Sequence, residues 1–546
     1  MRHSYRPMLI ALAILFSSFV TNAQAPDIQW AKCYGGSSED WANAVQQTSD
    51  GGYIIVGLTI SDDGDVTGTH GTTYPDVWIV KTNDTGKIQW SKTMGGSYFD
   101  YANAVQQTKD GGYIVAAMAG SWDGDLTGVI DSNHATDMWI IKLNAVGEVI
   151  WQKCLGGSGE ETATSIQQTT DGGYIVAGQA QSDDGDVIGI HKDVSGRPSN
   201  DVWIVKLDDK GSIVWQKTLG GSNTEIAQSV QQTKDGGYIV AGSTGSNDGD
   251  VTKLYGAWDG WIIKLSDTGG LIWQKTIGGT HDDILNSVVE TTDGGYILTG
   301  QTGSNDHDVS GNHLDTLGNA TTDLWVVKID SLGTINWQKC YGGKGIDVGS
   351  EIQPILGGGY VVAGYSTSTD GDVTGSRYRK VPSYDYWALQ ITNSGDINWN
   401  KCMGGTDWEY AYSIKETDDR GYVVVGAASS LNGDVMGNHD RESGVNGDFW
   451  LVKLAKPLVV DNTPNSPNTF QIFPNPTHTA FTIQYHFAVN ENASIEITDV
   501  TGRIVNVIAL DKNTTQINVS NWQTGAYFYK IIQNDITIAT GKLLKE

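Results

Sequence analysis

Residues 227–276 read AQSVQQTKDGGYIVAGSTGSNDGDVTKLYGAWDGWIIKLSDTGGLIWQKT, and this stretch is the clearest indication of how the chain folds. It contains four short apolar segments, AQSVQQT, GYIVAGST, DGWIIKL and LIWQKT, with Gly and Asp at the breaks between them. Short apolar runs bounded by Gly and Asp are typical of β-strands joined by turns. The stretch therefore predicts one unit of four strands.

This four-strand unit is repeated seven times along the chain. Each copy has a tryptophan in its fourth strand, a second tryptophan in an Asp-x-Trp third strand and a tyrosine in its second strand. The fourth-strand tryptophans lie 58 to 64 residues apart and are Trp30, Trp90, Trp151, Trp215, Trp273, Trp337 and Trp399. Such repeats are typical of β-propeller blades, and an open β-solenoid is the alternative with the same periodicity.

The two ends of the repeat region favour the propeller. The first repeated element, residues 28–32, is a fourth-strand copy, whereas the last, residues 448–454, is a third-strand copy. In a ring, segment 28–32 completes the blade begun by residues 411–454, which removes a free sheet edge. We therefore predict an all-β fold, a seven-bladed β-propeller with four strands per blade that is closed by the N-terminal strand.

The sequence also predicts where the parts of the chain begin and end. The N-terminus resembles a secretory signal peptide, because a basic start and a short apolar run are followed by the small residues Thr21-Asn22-Ala23. We place the cleavage site after Ala23. No later stretch approaches 18 apolar residues, so we expect no transmembrane segment in the mature chain. We assign residues 1–23 to the signal peptide, 24–456 to the propeller, 457–468 to a linker and 469–546 to a small β-sandwich.

The predicted β-sandwich carries four motifs up to the end of the chain, FPNP at 473–476, DVTGR at 499–503, GAYFYK at 525–530 and GKLLK at 541–545. It resembles the type A C-terminal sorting domain of the type IX secretion system of Bacteroidetes; an ordinary accessory sandwich is the alternative. The resemblance implies passage through the periplasm, recognition by the outer-membrane translocon, and a place on the cell surface or outside the cell. The motif residues are Pro474, Asn475, Pro476, Asp499, Gly502, Arg503, Gly525, Tyr527, Gly541 and Lys542.

Charge and motif content exclude some functions. The chain has 63 acidic and 35 basic residues and a net charge of −28, which would repel the phosphates of a nucleic acid. The sequence contains no H-E-x-x-H, G-x-S-x-G, Walker-type phosphate loop or C-x-x-C. We therefore assign no catalytic residue and no nucleic-acid partner.

A carboxylate occurs in every repeat, four residues after a Gly-Gly pair. The loop that holds it leads to the innermost strand of the next blade, so we expect the seven carboxylates to form a ring near the channel mouth. Binding of a ligand or a cation by this ring is one interpretation, and the structural interpretation is favoured over it. The structural interpretation is that each carboxylate accepts backbone hydrogen bonds within its own loop. These residues are Asp40, Asp100, Glu161, Glu225, Asp283, Asp347 and Glu409.

A second acidic pattern, of the type DGDV, lies between the second and third strands. Oxygen-rich loops with Gly hold calcium in many proteins, which makes calcium the candidate cofactor, whereas Asx-turns are the alternative. The residues concerned are Asp65, Asp125, Asp186, Asp250, Asp308, Asp372 and Asp434, and four copies add a histidine five positions later, His70, His191, His313 and His439.

Because strands alternate in direction, both acidic patterns and the loops of variable length are expected on one face. Aromatic residues available there are Tyr74, Trp122, Tyr255, Trp258, Tyr378 and Tyr384. Variable loops on one face of a repeat protein usually form its binding face.

Two functions fit this face. We favour a binding or adhesion protein for an extracellular glycan or protein, with calcium as its candidate cation. The alternative is a secreted, endoglucanase-like glycoside hydrolase, which needs two carboxylates about 5–10 Å apart. Catalytic residues are normally unique, whereas these acids recur in every blade; the blade-specific acids Glu160 and Glu442 are the candidates that the alternative retains.

Overall fold

A computed structural model describes residues 24–128, 135–315, 317–319, 321–375, 383–439, 446–457, 470–473, 476–485, 493–510, 514–533 and 536–546. All regular elements within these ranges are β-strands, and no helix there is long and apolar enough to cross a membrane. The expected signal peptide, residues 458–468 of the expected linker, and Pro474, Asn475, Tyr378 and Glu442 lie outside the described residues.

Residues Ala25–Pro457 form one compact unit of 28 strands. In chain order these are β1 (Ile28–Tyr34), β2 (Asp40–Gln47), β3 (Tyr53–Thr59), β4 (Asp76–Thr82), β5 (Ile88–Met94), β6 (Asp100–Gln107), β7 (Tyr113–Ala119), β8 (Asp137–Leu143), β9 (Val149–Leu155), β10 (Glu161–Gln168), β11 (Tyr174–Ala180), β12 (Asp201–Leu207), β13 (Ile213–Leu219), β14 (Glu225–Gln232), β15 (Tyr238–Thr244), β16 (Asp259–Leu265), β17 (Leu271–Ile277), β18 (Asp283–Glu290), β19 (Tyr296–Thr302), β20 (Asp323–Ile329), β21 (Ile335–Tyr341), β22 (Asp347–Pro354), β23 (Tyr360–Ser366), β24 (Asp385–Ile391), β25 (Ile397–Met403), β26 (Glu409–Glu416), β27 (Tyr422–Ala428) and β28 (Asp448–Leu454).

These strands form seven antiparallel sheets of four. Blade 1 is β2–β5, blade 2 is β6–β9, blade 3 is β10–β13, blade 4 is β14–β17, blade 5 is β18–β21 and blade 6 is β22–β25. Blade 7 combines β26, β27 and β28 with the N-terminal β1. The predicted four-strand blades and the predicted closing strand are confirmed.

The ring closes between blade 7 and blade 1. The first strands of successive blades contact one another all the way round, and β26 contacts β2 to complete the series. In the closing sheet β1 pairs antiparallel with β28, with Cys33 opposite Trp450. The backbone N–H of Asp418 in blade 7 also donates to Gln47 Oε1 in blade 1, at 2.9 Å.

The core lies between the sheets. Second and third strands are apolar on both sides because each sheet packs between two others. The third-strand tryptophans are buried, and Trp139 of blade 2 belongs to the same core cluster as Val56 and Ile79 of blade 1. Five fourth-strand tryptophans pack edge-on against second-strand tyrosines, as Trp30 does on Tyr53 at 5.9 Å.

The QQT segments at the ends of the first strands join neighbouring blades. The second glutamine accepts a hydrogen bond from the turn of the preceding blade, as Gln107 Oε1 does from Ser49 N at 2.8 Å. The same bond links Lys109 to Gln168 and Thr170 to Gln232. The repeated glutamines are therefore inter-blade contacts, which explains why polar residues recur on strands near the centre of the ring.

Residues 470–546 contain the remaining strands, β29 (Phe470–Phe473), β30 (Ala480–Tyr485), β31 (Ala493–Asp499), β32 (Ile504–Ala509), β33 (Thr514–Asn518), β34 (Gly525–Gln533) and β35 (Ile536–Lys545). One sheet has the order β29-β30-β33 and the other β32-β31-β34-β35. Phe481 from the first sheet and Ile497 and Ile531 from the second share one core. The predicted small β-sandwich is confirmed.

Candidate functional site

The seven acids that follow Gly-Gly are completely buried, at 0% exposure. Asp40 Oδ2 accepts the N–H of Gly36 and the hydroxyl of Ser61, both at 2.8 Å. The N–H of the second Gly donates to the acid in the other six blades as well. These are the bonds of the structural alternative, and binding of a ligand or cation at this ring stays a prediction.

Each of these acids also lies near the Asp that begins a third strand. At the closing junction, Asp40 Oδ2 and Asp448 Oδ1 lie within 2.6 Å of the position that a Cβ on Gly35 would take. Only glycine fits between the two carboxyl groups. Burial raises the pKa of Asp40 to about 7, with a contribution from the charge of Asp448, and burial raises the pKa of Asp448 to about 6.

The DGDV segments form hydrogen bonds with the Gly-Gly loops. Asp125 N donates to Gly95 O at 2.8 Å, and Gly95 N points back at Asp125 Oδ2 at 3.4 Å. Two residues earlier, Asp123 Oδ1 accepts the N–H of Ser97 at 2.7 Å. The other blades repeat the bond from the DGDV backbone N–H to the glycine carbonyl. In blades 2 to 7 the Oδ2 atom of the Asp that donates this bond also lies 3.2 to 3.4 Å from the N–H of the first Gly. Calcium binding by these carboxylates stays a prediction.

The four histidines connect neighbouring blades. His70 Nδ1 lies 3.2 Å from Asp76 Oδ2 in its own blade, and its Nε2 lies 3.5 Å from Asp125 Oδ2 in the next. The same arrangement joins His191 to Asp201 and Asp250, His313 to Asp323 and Asp372, and His439 to Asp448 and Asp65. Across the residues with a defined placement, no group of three or more His, Cys, Asp or Glu side chains could hold a metal ion.

The feature that distinguishes one part of the ring is aromatic. Six half-buried rings from blades 6, 7 and 1 contact one another where the first strands begin, and we call them the mouth cluster. Its members are Trp41, Tyr365, Tyr384, Trp408, Tyr410 and Tyr412. Only Tyr384 among them belongs to the aromatic residues expected from the sequence.

Tyr410 is at the centre of the mouth cluster. Its ring centroid lies 4.8 Å from that of Tyr384, 4.9 Å from Tyr365 and 5.5 Å from Trp408. Across the closing junction it is 6.0 Å from Trp41, with 29° between the ring planes. Gly447 lies directly against Trp408, because a Cβ there would come within 2.6 Å of that ring.

A second aromatic group, which we call the rim cluster, follows on the same face at blades 1 and 2. It consists of Tyr74, Tyr98, Phe99 and Trp122. Tyr74 contacts Tyr98 and Phe99 with centroids 4.6 Å apart in both cases, and Tyr98 lies 6.5 Å from Trp122. Phe99 and Trp122 are exposed, at 38% and 40%.

The same strand position in the other blades shows that these aromatic residues are not part of the repeat. The second residue of the first strand is aromatic in blades 7, 1 and 2, where it is Tyr410, Trp41 and Tyr101. In blades 3 to 6 it is Thr162, Ile226, Ile284 and Val348. A comparison of repeats by position would have found this difference in the sequence alone.

Two further expected aromatic residues, Tyr255 and Trp258, lie apart from both clusters. Tyr255 packs on His307 with ring centroids 4.6 Å apart, and Lys253 lies over its ring at 3.7 Å. The carbonyl of Trp258 accepts the N–H of Asp283 at 2.8 Å. Glu160, a blade-specific acid, is exposed.

In the C-terminal unit the motif residues form turns and close contacts. Asp499 Oδ1 accepts the N–H groups of Thr501 and Arg503, and Gly502 has φ 81°, which a turn between β31 and β32 requires. Tyr527 donates its hydroxyl to Gln523 O at 2.9 Å. Gly541 faces Tyr529, whose ring leaves no room for a Cβ.

Comparison with known proteins supports the C-terminal resemblance. Residues 471–546 match the family described as "Secretion system C-terminal sorting domain". One curated relative, Regulatory protein FlaEY of Caulobacter vibrioides, is 24% identical over 399 residues, which is 65% of this chain and 39% of that protein. The chain thus spans about two fifths of the length of the curated relative that it matches.

Three solved structures are similar at low identity. PorZ, a surface component of the type IX secretion system of Porphyromonas gingivalis, has a TM-score of 0.41 and 11% identity, over 94% of this chain and 60% of that one. The WD40 domain of Neurospora crassa Pan2 has a TM-score of 0.41 and 9% identity, over 78% of this chain and 98% of that one. An ancestral GH74 enzyme has a TM-score of 0.37 and 11% identity, over 96% of this chain and 63% of that one.

At these values none of the three carries an inference about function. The match of residues 471–546, by contrast, agrees with motifs whose turns and contacts the structure shows. The C-terminal part of this chain is a type IX secretion sorting domain, and the protein is exported to the cell surface or the extracellular space.

Proposed function

We propose that this protein is an exported, non-catalytic binding protein whose extracellular ligand docks on the mouth cluster. The observation that carries the proposal is the presence of six contacting, half-buried aromatic rings in one arc of an otherwise repetitive ring. Aromatic side chains are enriched at binding surfaces because they bury a large apolar area at a small cost in conformational entropy.

The acids beside the mouth cluster favour binding over hydrolysis. Burial raises the pKa of Glu409 to about 8, a range that suits a general acid. However, Glu409 and its neighbour Asp385 are buried, at 0% and 4% exposure, so a glycosidic oxygen could not reach them without rearrangement. The same buried pair of acids occurs at other junctions, as expected for a structural device.

A binding screen with the intact protein tests the proposal. The protein is applied to arrays of extracellular glycans and of peptides, alongside Tyr410→Ala and the control Ile284→Ala. Ile284 occupies the position of Tyr410 in blade 5, so the control removes a side chain at the same place in the ring. We expect a ligand that Ile284→Ala retains and that Tyr410→Ala binds at least about tenfold more weakly. Equal losses in the two variants would sink the proposal.

The same screen addresses the alternative activity and the cation. Reducing-sugar release by the intact protein, lost in Glu160→Gln, would support the glycoside hydrolase instead. A calcium-dependent ligand would lose affinity on addition of a chelator. A melting temperature unchanged by calcium and by chelator would reject calcium binding by the DGDV segments.

A further inference from the structure

We infer that the ligand of the mouth cluster is a neutral polysaccharide chain, which extends along the loop face to the rim cluster. The inference rests on the proposed function and names the chemical class of its ligand. Three observations carry it, namely the orientation of the rings, the charge of the face and the succession of two aromatic groups around the ring.

Three of the six rings in the mouth cluster lie nearly parallel to one another, whereas Tyr365 stands almost perpendicular to Tyr410, at 87°. The planes of Tyr410 and Tyr412 differ by 15°, and that of Trp41 differs from them by 29° and 26°. A pyranose ring has flat C–H faces that pack against aromatic faces, and its hydroxyl groups stay in water. A set of similarly oriented, partly exposed aromatic faces therefore suits sugar units.

The charge of the face excludes acidic polymers. Carboxylates in the DGDV segments are exposed around the loop face, and the hydrogen bonds that Asp248 and Asp306 accept lower their pKa values, so they are ionised at neutral pH. With a net charge of −28 on the chain, a uronic-acid or sulfated glycan would be repelled. The exposed acids meant here are Asp63, Asp123, Asp184, Asp248 and Asp306.

Two aromatic groups in succession favour a long ligand over a single sugar. Blade 1 belongs to both groups, because it contributes Trp41 to the mouth cluster and Tyr74 to the rim cluster. Tyr101 of blade 2 occupies the next ring position after Trp41. When a polymer already bound to one cluster contacts the other, the second contact is intramolecular and needs no further loss of translational and rotational entropy. Its affinity therefore exceeds that of a short oligosaccharide.

The test compares chain lengths and charges with the intact protein. Neutral β-glucan, xylan and mannan, the disaccharide of each, and polygalacturonate as the acidic polymer are titrated in turn by calorimetry. We expect one neutral polymer to bind at least about tenfold more tightly than its disaccharide and polygalacturonate not to bind. Trp122→Ala should weaken the polymer alone, whereas Tyr410→Ala should weaken polymer and disaccharide together.

Each contrary outcome has a separate meaning. Equal affinity for polymer and disaccharide, or tighter binding of polygalacturonate, would overturn the inference. A peptide ligand that depends on Tyr410, with no glycan bound, would overturn the inference and leave the proposed function standing. Absence of any ligand that depends on Tyr410 would overturn both. Variants are compared only where their melting temperatures match that of Ile284→Ala.

Discussion

Buried carboxyl groups meet in pairs at the blade junctions, and their protonation should control stability. At the closing junction the folded pKa values are about 7 for Asp40 and about 6 for Asp448. Both exceed the value of about 3.9 for an unfolded Asp. The folded protein therefore binds protons more tightly than the unfolded chain, and it is stabilised most fully below about pH 4. This stabilisation is lost as pH rises through about 6 to 7.

We predict that the melting temperature of the protein falls between pH 5 and pH 8, and that Asp40→Asn makes the fall smaller. An amide keeps an oxygen for Gly36 and Ser61 but cannot ionise. Between pH 5 and pH 8 the free energy of unfolding should fall by at least about 1 kcal/mol less in Asp40→Asn than in the unchanged protein, as measured by calorimetry at several pH values. Asp248→Asn, whose pKa is lowered by backbone hydrogen bonds, should leave the slope unchanged. Identical slopes in all three proteins would contradict the prediction.

A lysine–aspartate ion pair recurs at the tight turns on the face of the propeller opposite the mouth cluster. The third-strand lysine is buried and forms an ion pair of 2.9 Å to 3.0 Å, in six blades, with an Asp in the turn between the first and second strands. Blade 6 has Gln390 in place of the lysine and Gly357 in place of the aspartate. There Asn393 Oδ1 accepts the N–H of Gly359 instead. The two substitutions occur together, which indicates that each partner depends on the other.

We predict that Asp50→Asn lowers the free energy of unfolding by about 2 kcal/mol, because it leaves the Lys81 ammonium buried without its counter-ion. In the Asp50→Asn variant, Lys81→Gln should lower the free energy of unfolding by less than it does in the unchanged protein. The difference is the favourable coupling of the two residues in a double-mutant cycle. The quantity to measure is the denaturant midpoint of the four proteins. Additive effects would show that the pair is not coupled.

At the level of the elements, strand β1 closes the ring. It supplies the fourth strand of blade 7, and its tyrosine Tyr34 donates a hydrogen bond to Gly86 O in blade 1 at 2.6 Å. Without β1, the edge of β28 would be exposed and the contact between blades 7 and 1 would weaken.

We predict that deletion of residues 25–34 lowers the melting temperature, and that a synthetic peptide of residues 25–34 added in trans raises it again. The peptide restores the hydrogen bonds of β28 and buries Tyr34. A scrambled peptide serves as the control. An unchanged melting temperature after the deletion would mean that the ring does not depend on its closing strand.

The elements were predictable from the sequence because each is specified locally. Alternating apolar residues, Asp-Gly turns and two tryptophans per repeat mark every strand, and the closing strand follows from which copy comes first. The mouth cluster was not predicted, because Trp41 and Trp408 lie at opposite ends of the repeat region and meet only across the closed junction. The hydrogen bonds of the inward acids to their own Gly-Gly loops could be expected from the sequence, because the two groups are only four residues apart. Their pairing with a third-strand Asp could not, because it depends on three-dimensional packing.

At the scale of the whole molecule, export and binding belong to separate parts of the chain. We predict that deletion of residues 471–546 leaves the melting transition of the propeller in place and retains the protein inside the producing cell. Fractionation with an epitope tag on the propeller measures this. Delivery of the truncated protein to the cell surface would contradict the role of the sorting domain.

The claim that the mouth cluster is the binding site is tested most directly by hydrogen–deuterium exchange with the ligand from the binding screen. We expect slower exchange in Asp40–Gln47 and Glu409–Glu416, the strands that carry Trp41 and Tyr410. We expect no change in Glu225–Gln232 or Asp283–Glu290, the matching strands of blades 4 and 5. Protection of blades 4 and 5, or equal protection of all seven blades, would contradict this claim.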